Sequence, residues 1–389
     1  MNFKYRLQSI VFVMTAFLLG CNEFMVVGVI SDIAASYHAS LSTVGFLITS
    51  FAIIYAICTP IITTLTSRFD RFKVLMVLMI IFLLGNTLTA CAPNLFWLFV
   101  SRIITAAVAG AIISLILVFV SLIAPIEKRA MLVAATFAGF STATIIGVPI
   151  GTTISTAFSW HVSFALISVL TVIVTALLFW LVPRNSKQEN ASLKNQMQLF
   201  KDRQIVLGVI VMVVLMAAEY TFYTYIRPII TNILGYSTTD LNWLLGLIGI
   251  MFIIGNTCAG IVANRWGITK VPLISLAVFV LLLVMDVTFH LSWLGIIVLC
   301  VICLVLGMPG SILQVMFLNV ADRKYPEAMN LASSLNPICT NVGVSVGSLT
   351  ASISVNFVQI EQIGYIGAVY GVIAVIASLM LVQANKKIN

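Results

Sequence analysis

The stretch PRNSKQENASLKNQMQLFKDRQ, residues 183–204, is the only long polar segment in a chain of 389 residues. Before it lie apolar runs near 7–31, 42–66, 74–92, 95–123, 131–156 and 162–182. After it lie runs near 205–229, 241–262, 271–291, 293–319, 328–356 and 364–384. Each run of about 20 residues can cross a hydrocarbon core of about 30 Å as a helix. The polar stretch therefore reads as a linker at 183–204 between one bundle at 1–182 and another at 205–389. The expected fold is an all-α polytopic membrane protein, with 12 transmembrane helices in two pseudo-symmetric six-helix bundles.

Composition supports this reading. The chain is 61% hydrophobic and 8% charged, with a mean hydropathy of +1.15, whereas a soluble domain carries about a quarter of its residues as charge. The formal net charge of +8 does not point to nucleic acid, because of where it falls. Of the 20 Lys and Arg residues, all but Arg102 and Arg227 lie in the termini and in alternate loops. The positive-inside rule then places both termini and the linker on the cytoplasmic side of the membrane. Lys4 and Arg6 precede the first run as they would in a signal peptide, but the run is too long for one and a retained helix is expected. The seven cysteines lie in or beside apolar runs, and CVIC at 300–303 has no charged neighbour to activate a thiol. They read as small apolar filler, and no metal or cofactor is expected.

The two halves also match in register. Glu23 in NEF falls on Glu219 in AEY, 196 positions later, and Arg68 falls on Arg265 at 197. RAM at 129–131 falls on EAM at 327–329, and GVPIG at 147–151 falls on GVSVG at 343–347. A glutamate, a basic loop and a glycine pair keeping one offset mark a duplicated six-helix unit.

Several segments resemble the major facilitator superfamily, and within it the bacterial drug:proton antiporter-1 branch. TTLTSRFDRFK is similar to the branch's basic loop after helix 2, keeping Arg68 and Arg71 but with Ser67 at the aspartate position. GIVANRWG, with Arg265 and Gly267, is its second-half counterpart. SRIITAAVAGA resembles the helix that places an arginine, here Arg102, inside the membrane. Ala106 and Gly110 continue its face and permit close helix approach. IIGVPIGTTI resembles an exporter motif through Gly147, Pro149 and Gly151. NEFMVVGVISDIAASYH and EYTFYTYIRPIITNILGYS are most similar to the bacterial sugar efflux transporters. The resemblance implies alternating access by rocking of two halves, a cargo that is a sugar or a drug, a proton as coupling ion, and a monomer.

Glu23 and Arg102 each fall about 10–12 Å in from the outer end of their helices, by a rise of 1.5 Å per residue. One carboxylate and one guanidinium at matching depth are expected to pair. Acids inside a membrane are functional candidates by default, so Glu23 is expected to carry the proton, with Arg102 as its modulator and a fixed structural ion pair as the alternative. Glu219 shares a helical face with Phe222, Tyr223 and Ile226. With Tyr220 and Tyr223 it is a candidate for holding a sugar ring or a flat cation. Asn22, Gln314 and Asn336 are further cavity candidates, although membrane-embedded amides more often bridge helices. No H-E-x-x-H, G-x-S-x-G or Walker motif is present, which argues against a membrane enzyme or an ATP-driven pump.

Overall fold

The computed structural model describes residues 3–66, 69–184 and 197–386. Among these the regular structure is helical throughout, with no strand. Ten stretches are long and apolar enough to cross a membrane. The expected fifth and eleventh runs are helical too, at 126–157 and 329–354, but they are richer in Gly, Ser, Thr and Asn.

Two compact units emerge: Met1–Ser40 with Ser50–Asn190, and Leu41–Thr49 with Ala191–Asn389. The first unit contains α1 (Phe3–Ser36), most of α2 (Leu41–Leu65), α3 (Arg71–Ala90), α4 (Leu95–Ile123), α5 (Ile126–Thr142), α6 (Val148–Ala157) and α7 (Trp160–Leu181). Asp70 caps α3 by accepting from the Lys73 amide at 3.1 Å, and Asn94 caps α4 by accepting from the Trp97 amide at 3.1 Å. A π-helical turn, Ala143–Gly147, joins α5 to α6. Pro149 sits at the start of α6. Proline has no amide proton for the helical ladder, so the preceding turn widens there. Within this unit α1 packs on α5, α6 and α7, while α3 packs on α4 and α7.

The second unit contains α8 (Arg203–Tyr223), a short turn α9 (Ile226–Pro228), α10 (Thr238–Trp266), α11 (Val271–Phe289), α12 (Ser292–Leu306), α13 (Pro309–Lys324), α14 (Met329–Ser354) and α15 (Ile363–Lys386). The run expected at 293–319 is therefore two helices, α12 and α13, broken at Gly307–Met308 ahead of Pro309. Gly255 of α10 lies against that break, with its Cα 3.3 Å from where a Cβ on Gly307 would stand. In this unit α8 packs on α14 and α15, and α11 packs on α15 and α12. These are the equivalents of the α1 and α3 partners in the first unit, so the duplication read from sequence reappears in helix pairing.

The glycine motif shows why. A Cβ on Gly147 would lie 2.6 Å from the Cys21 sulfur, and one on Gly151 would lie 2.8 Å from the Met25 sulfur. In the second unit a Cβ on Gly343 would lie 2.6 Å from the Val213 carbonyl oxygen, and one on Gly347 would lie 2.9 Å from Ala217 Cα. In each unit a glycine pair lets one helix lie directly against the turn that carries the glutamate.

The outer surface of the helices is apolar, as a lipid-facing surface requires. Of the six tryptophans, Trp97, Trp180, Trp243, Trp266 and Trp293 are exposed and sit near helix ends. That is the position of the aromatic belts found at membrane interfaces.

Candidate functional site

In the first unit Glu23 is 8% exposed and Arg102 is 1% exposed. They approach each other, but not as the expected side-chain pair. Arg102 Nη1 donates to the Asn22 carbonyl oxygen at 2.7 Å and Nη2 donates to the Glu23 carbonyl oxygen at 3.4 Å. Among the described residues no ion pair joins the guanidinium to the Glu23 carboxylate. The guanidinium lies over the Phe51 ring at 4.4 Å and near the Phe164 ring at 5.7 Å. The physical reason is geometric. A planar fork of donors matches two successive carbonyls of α1, and its face is covered by aromatic rings that favour a cation. Arg102 thus grips the backbone of the turn that bears Glu23 and leaves the carboxylate without a direct ion pair.

Asn22 is fully buried, and its Nδ2 donates to Asn86 Oδ1 of α3. Asn86 Nδ2 in turn donates to the Phe82 carbonyl oxygen at 3.0 Å. Asn22 therefore joins α1 to α3 through its Nδ2, while its Oδ1 is buried with no hydrogen-bond partner. Asn86 had a sequence signal that went unused, as a lone amide within the apolar run LLGNTLTA. The expected approach at Gly110 is present: a Cβ there would lie 2.9 Å from the Thr59 Cβ of α2.

In the second unit Glu219 is 6% exposed. Among the described residues no hydrogen bond or ion pair reaches its carboxylate. Glu219 and Tyr223 stand four residues apart on one face of α8. The Tyr220 and Tyr223 rings are 5.6 Å apart, and the Tyr223 ring meets Phe252 of α10 edge-on at 6.1 Å. Cys303 of α12 is fully buried, within electrostatic reach of both Glu219 and Tyr223.

Asn336 and Gln314, the expected cavity amides of this half, each bond between α13 and α14. Asn336 Nδ2 donates to the Gly310 carbonyl at 3.0 Å, and its Oδ1 accepts from Thr340 Oγ1 at 3.3 Å. Gln314 Nε2 donates to the Ala332 carbonyl at 3.3 Å, and its Oε1 is buried with no hydrogen-bond partner.

Of the remaining motif residues, Arg68 and residues 185–196 of the linker lie outside the described residues. Arg71 opens α3 directly after its Asp70 cap. Arg265 is exposed, with its guanidinium 4.9 Å from the Trp266 ring centroid. Gly267 closes α10 at φ 55°, a conformation open to glycine at little cost. At the start of α8, Asp202 caps the helix by accepting from the Gln204 amide at 2.8 Å and also accepts from Lys324 Nζ at 2.8 Å.

Among the described residues, apolar helices repeat in two halves with one buried glutamate in each, an arrangement that suits a membrane carrier. Residues 12–348 match the model of the Major Facilitator Superfamily, and the chain belongs to that family. It is a multi-pass membrane transporter for small molecules and not an enzyme. It is 29% identical over 374 residues to the uncharacterized MFS-type transporter YbcL of Bacillus subtilis (strain 168), covering 96% of this chain and 95% of that one. It is also 29% identical over 365 residues to YtbD of the same organism, an uncharacterized MFS-type transporter, covering 93% and 92%. Among solved structures it resembles a bacterial homologue of the human lysosomal transporter Spinster, with a TM-score of 0.80 and 14% identity over 100% of this chain and 98% of that one. It also resembles a D-xylose-proton symporter, with a TM-score of 0.77 and 16% identity over 96% of each chain. At these identities the two structures show a common fold.

Proposed function

We propose that the chain is a proton-coupled exporter of small organic molecules from the bacterial cytoplasm, working as a monomer by alternating access. The two six-helix units rock about the cytoplasmic linker at 183–204, and both termini are cytoplasmic. The observation that carries this reading is the buried Glu23 carboxylate, beside Arg102 yet without a direct ion pair. A carboxylate so placed can take and release a proton as its surroundings change. Arg102 stabilises the turn and supplies the nearby positive charge. Protonation from outside then favours release of cargo, and deprotonation inside readies the site again. Resemblance of the Gly147, Pro149 and Gly151 segment to exporter motifs supports efflux as the direction. The resemblance to sugar efflux transporters makes arabinose or a related glycoside the first cargo to test. Nucleosides and lipophilic drugs are the alternatives.

The test uses purified protein in proteoliposomes with an imposed pH gradient and a pH-sensitive dye inside. Arabinose, lactose, a nucleoside and a lipophilic cation are added in turn to wild type and to Glu23→Gln. Proton movement evoked by one of them in wild type and lost in the variant is the expected result. Normal coupling in Glu23→Gln would refute Glu23 as the carrier.

A further inference from the structure

We propose that the corner where α3 begins and α7 ends binds an anionic phospholipid, whose phosphate Arg184 holds within the field of Arg71 and Lys73. This goes beyond the transport reading and needs neither cargo nor coupling. The two helices pack together in the first unit. The Phe72 ring at the start of α3 lies 5.8 Å from the Phe179 ring at the end of α7. The Arg184 guanidinium lies 5.6 Å from the first ring and 5.0 Å from the second. The rings cover the flat of the guanidinium and leave the N–H donors along its edge for an acceptor. Lys73 is exposed and Arg71 half-buried, and the Arg71 Nε is buried with no hydrogen-bond partner. Among the described residues no ion pair engages any of the three cations. Asp70, the acid beside them, is committed to the cap of α3, accepting from the Lys73 amide at 3.1 Å. Such a corner suits a phosphate, which takes charge-assisted bonds on several oxygens.

The surface below the cations points to a lipid as the source of that phosphate. Lys73, Val77, Ile80 and Leu84 recur at i, i+4, i+7 and i+11 on one face of α3, and all four are exposed. On α7, Trp180 is 80% exposed near the helix end, and Ile173 and Val169 are exposed two and three turns before it. From Lys73 to Leu84 the rise is about 16 Å, the depth of one leaflet of a hydrocarbon core about 30 Å thick. A tryptophan at such a helix end sits at the level of the headgroups. Cations above, an indole at the boundary and apolar side chains beneath match a phospholipid from its phosphate to its acyl chains. Arg184 opens the linker, so in the topology proposed above this is the cytoplasmic leaflet, where anionic lipid attracts basic clusters.

The test measures lipid retention by full-length purified protein in detergent, read by native mass spectrometry. The probes are phosphatidylglycerol, phosphatidylcholine and inorganic phosphate. Wild type is expected to keep a phosphatidylglycerol that neither phosphatidylcholine nor inorganic phosphate displaces. Lys73→Gln and Arg184→Gln should each weaken it about fivefold, and the double variant about 25-fold. Arg203→Gln removes an exposed cation at the start of α8 and should leave retention unchanged. A second measurement locates the lipid in vesicles, using chains brominated near the headgroup. Brominated phosphatidylglycerol should quench the Trp180 signal, taken as wild type minus Trp180→Phe, more than phosphatidylcholine brominated alike at the same mole fraction. Equal retention of the two lipids, displacement by inorganic phosphate, an equal loss in Arg203→Gln, or equal quenching by the two lipids would each overturn the proposal. No cargo or gradient enters either measurement, so such a failure leaves the export reading to its own assay.

Discussion

Replacing Arg102 by lysine and by methionine separates a backbone grip from a simple charge pair. The guanidinium donates to two successive carbonyls of α1 and lies over Phe51 at 4.4 Å. Lysine keeps the charge but cannot hold both carbonyls and a planar face at once. It forfeits one weak charge-assisted bond and part of the ring interaction, together about 2 kcal/mol, while the cation still has to be buried. Methionine loses all of these contacts, about 4 kcal/mol, but also removes the desolvation penalty of several kcal/mol that any buried cation carries. The expected order of stability is therefore arginine first, methionine close behind, lysine last. The assay is heat tolerance in detergent, read as the fraction of monodisperse protein by fluorescence-detected gel filtration. If lysine matches arginine while methionine collapses, charge alone matters and the backbone grip is wrong.

Three further outcomes follow from contacts elsewhere. Asn86→Leu strands the buried Asn22 amide and should lower stability by about 1–3 kcal/mol, visible in the same heating assay, whereas an unchanged midpoint would mean Asn22 finds another partner. Gly110→Val sets a branched side chain against Thr59 and should destabilise by about 1–3 kcal/mol; Thr59→Gly in the same chain should recover much of the loss, and no recovery would deny that contact its role. Lys324→Met leaves Asp202 buried without its cation while the helix cap remains, so a loss of about 1 kcal/mol is expected for a pair with one exposed partner. High salt should weaken the wild type and hardly affect Lys324→Met.

The parts of this molecule legible in its sequence are those written in apolarity, glycine and proline. The spans, the matching of Glu23 with Glu219 and the close approach at Gly110 all follow from side chains whose chemistry is restrictive. The partner of Arg102 was not legible, because the guanidinium binds backbone carbonyls and every residue of α1 has one. Asn22, Gln314 and Asn336 read as cavity groups because an amide in an apolar run carries the same signal whether it faces a ligand or a neighbouring helix. Their contacts with Asn86, Ala332 and Gly310 run between helices, and all three partners are distant in sequence. The break in the tenth run had a marker in Pro309, but the run's apolarity continues across it. Apolarity reports burial in lipid and says little about helix continuity.

The glycine pairs carry a mechanical consequence. Where α14 meets α8, Gly343 and Gly347 lie against the Val213 and Ala217 backbone, with little side chain to compress or change rotamer, whereas Gly147 and Gly151 meet the Cys21 and Met25 side chains of α1. The second junction therefore has the stiffness of the polypeptide backbone, and the first has the give of a thiol and a flexible thioether. A push along α14 passes rigidly to the turn before Glu219, while the same push on α6 is partly absorbed before it reaches Glu23.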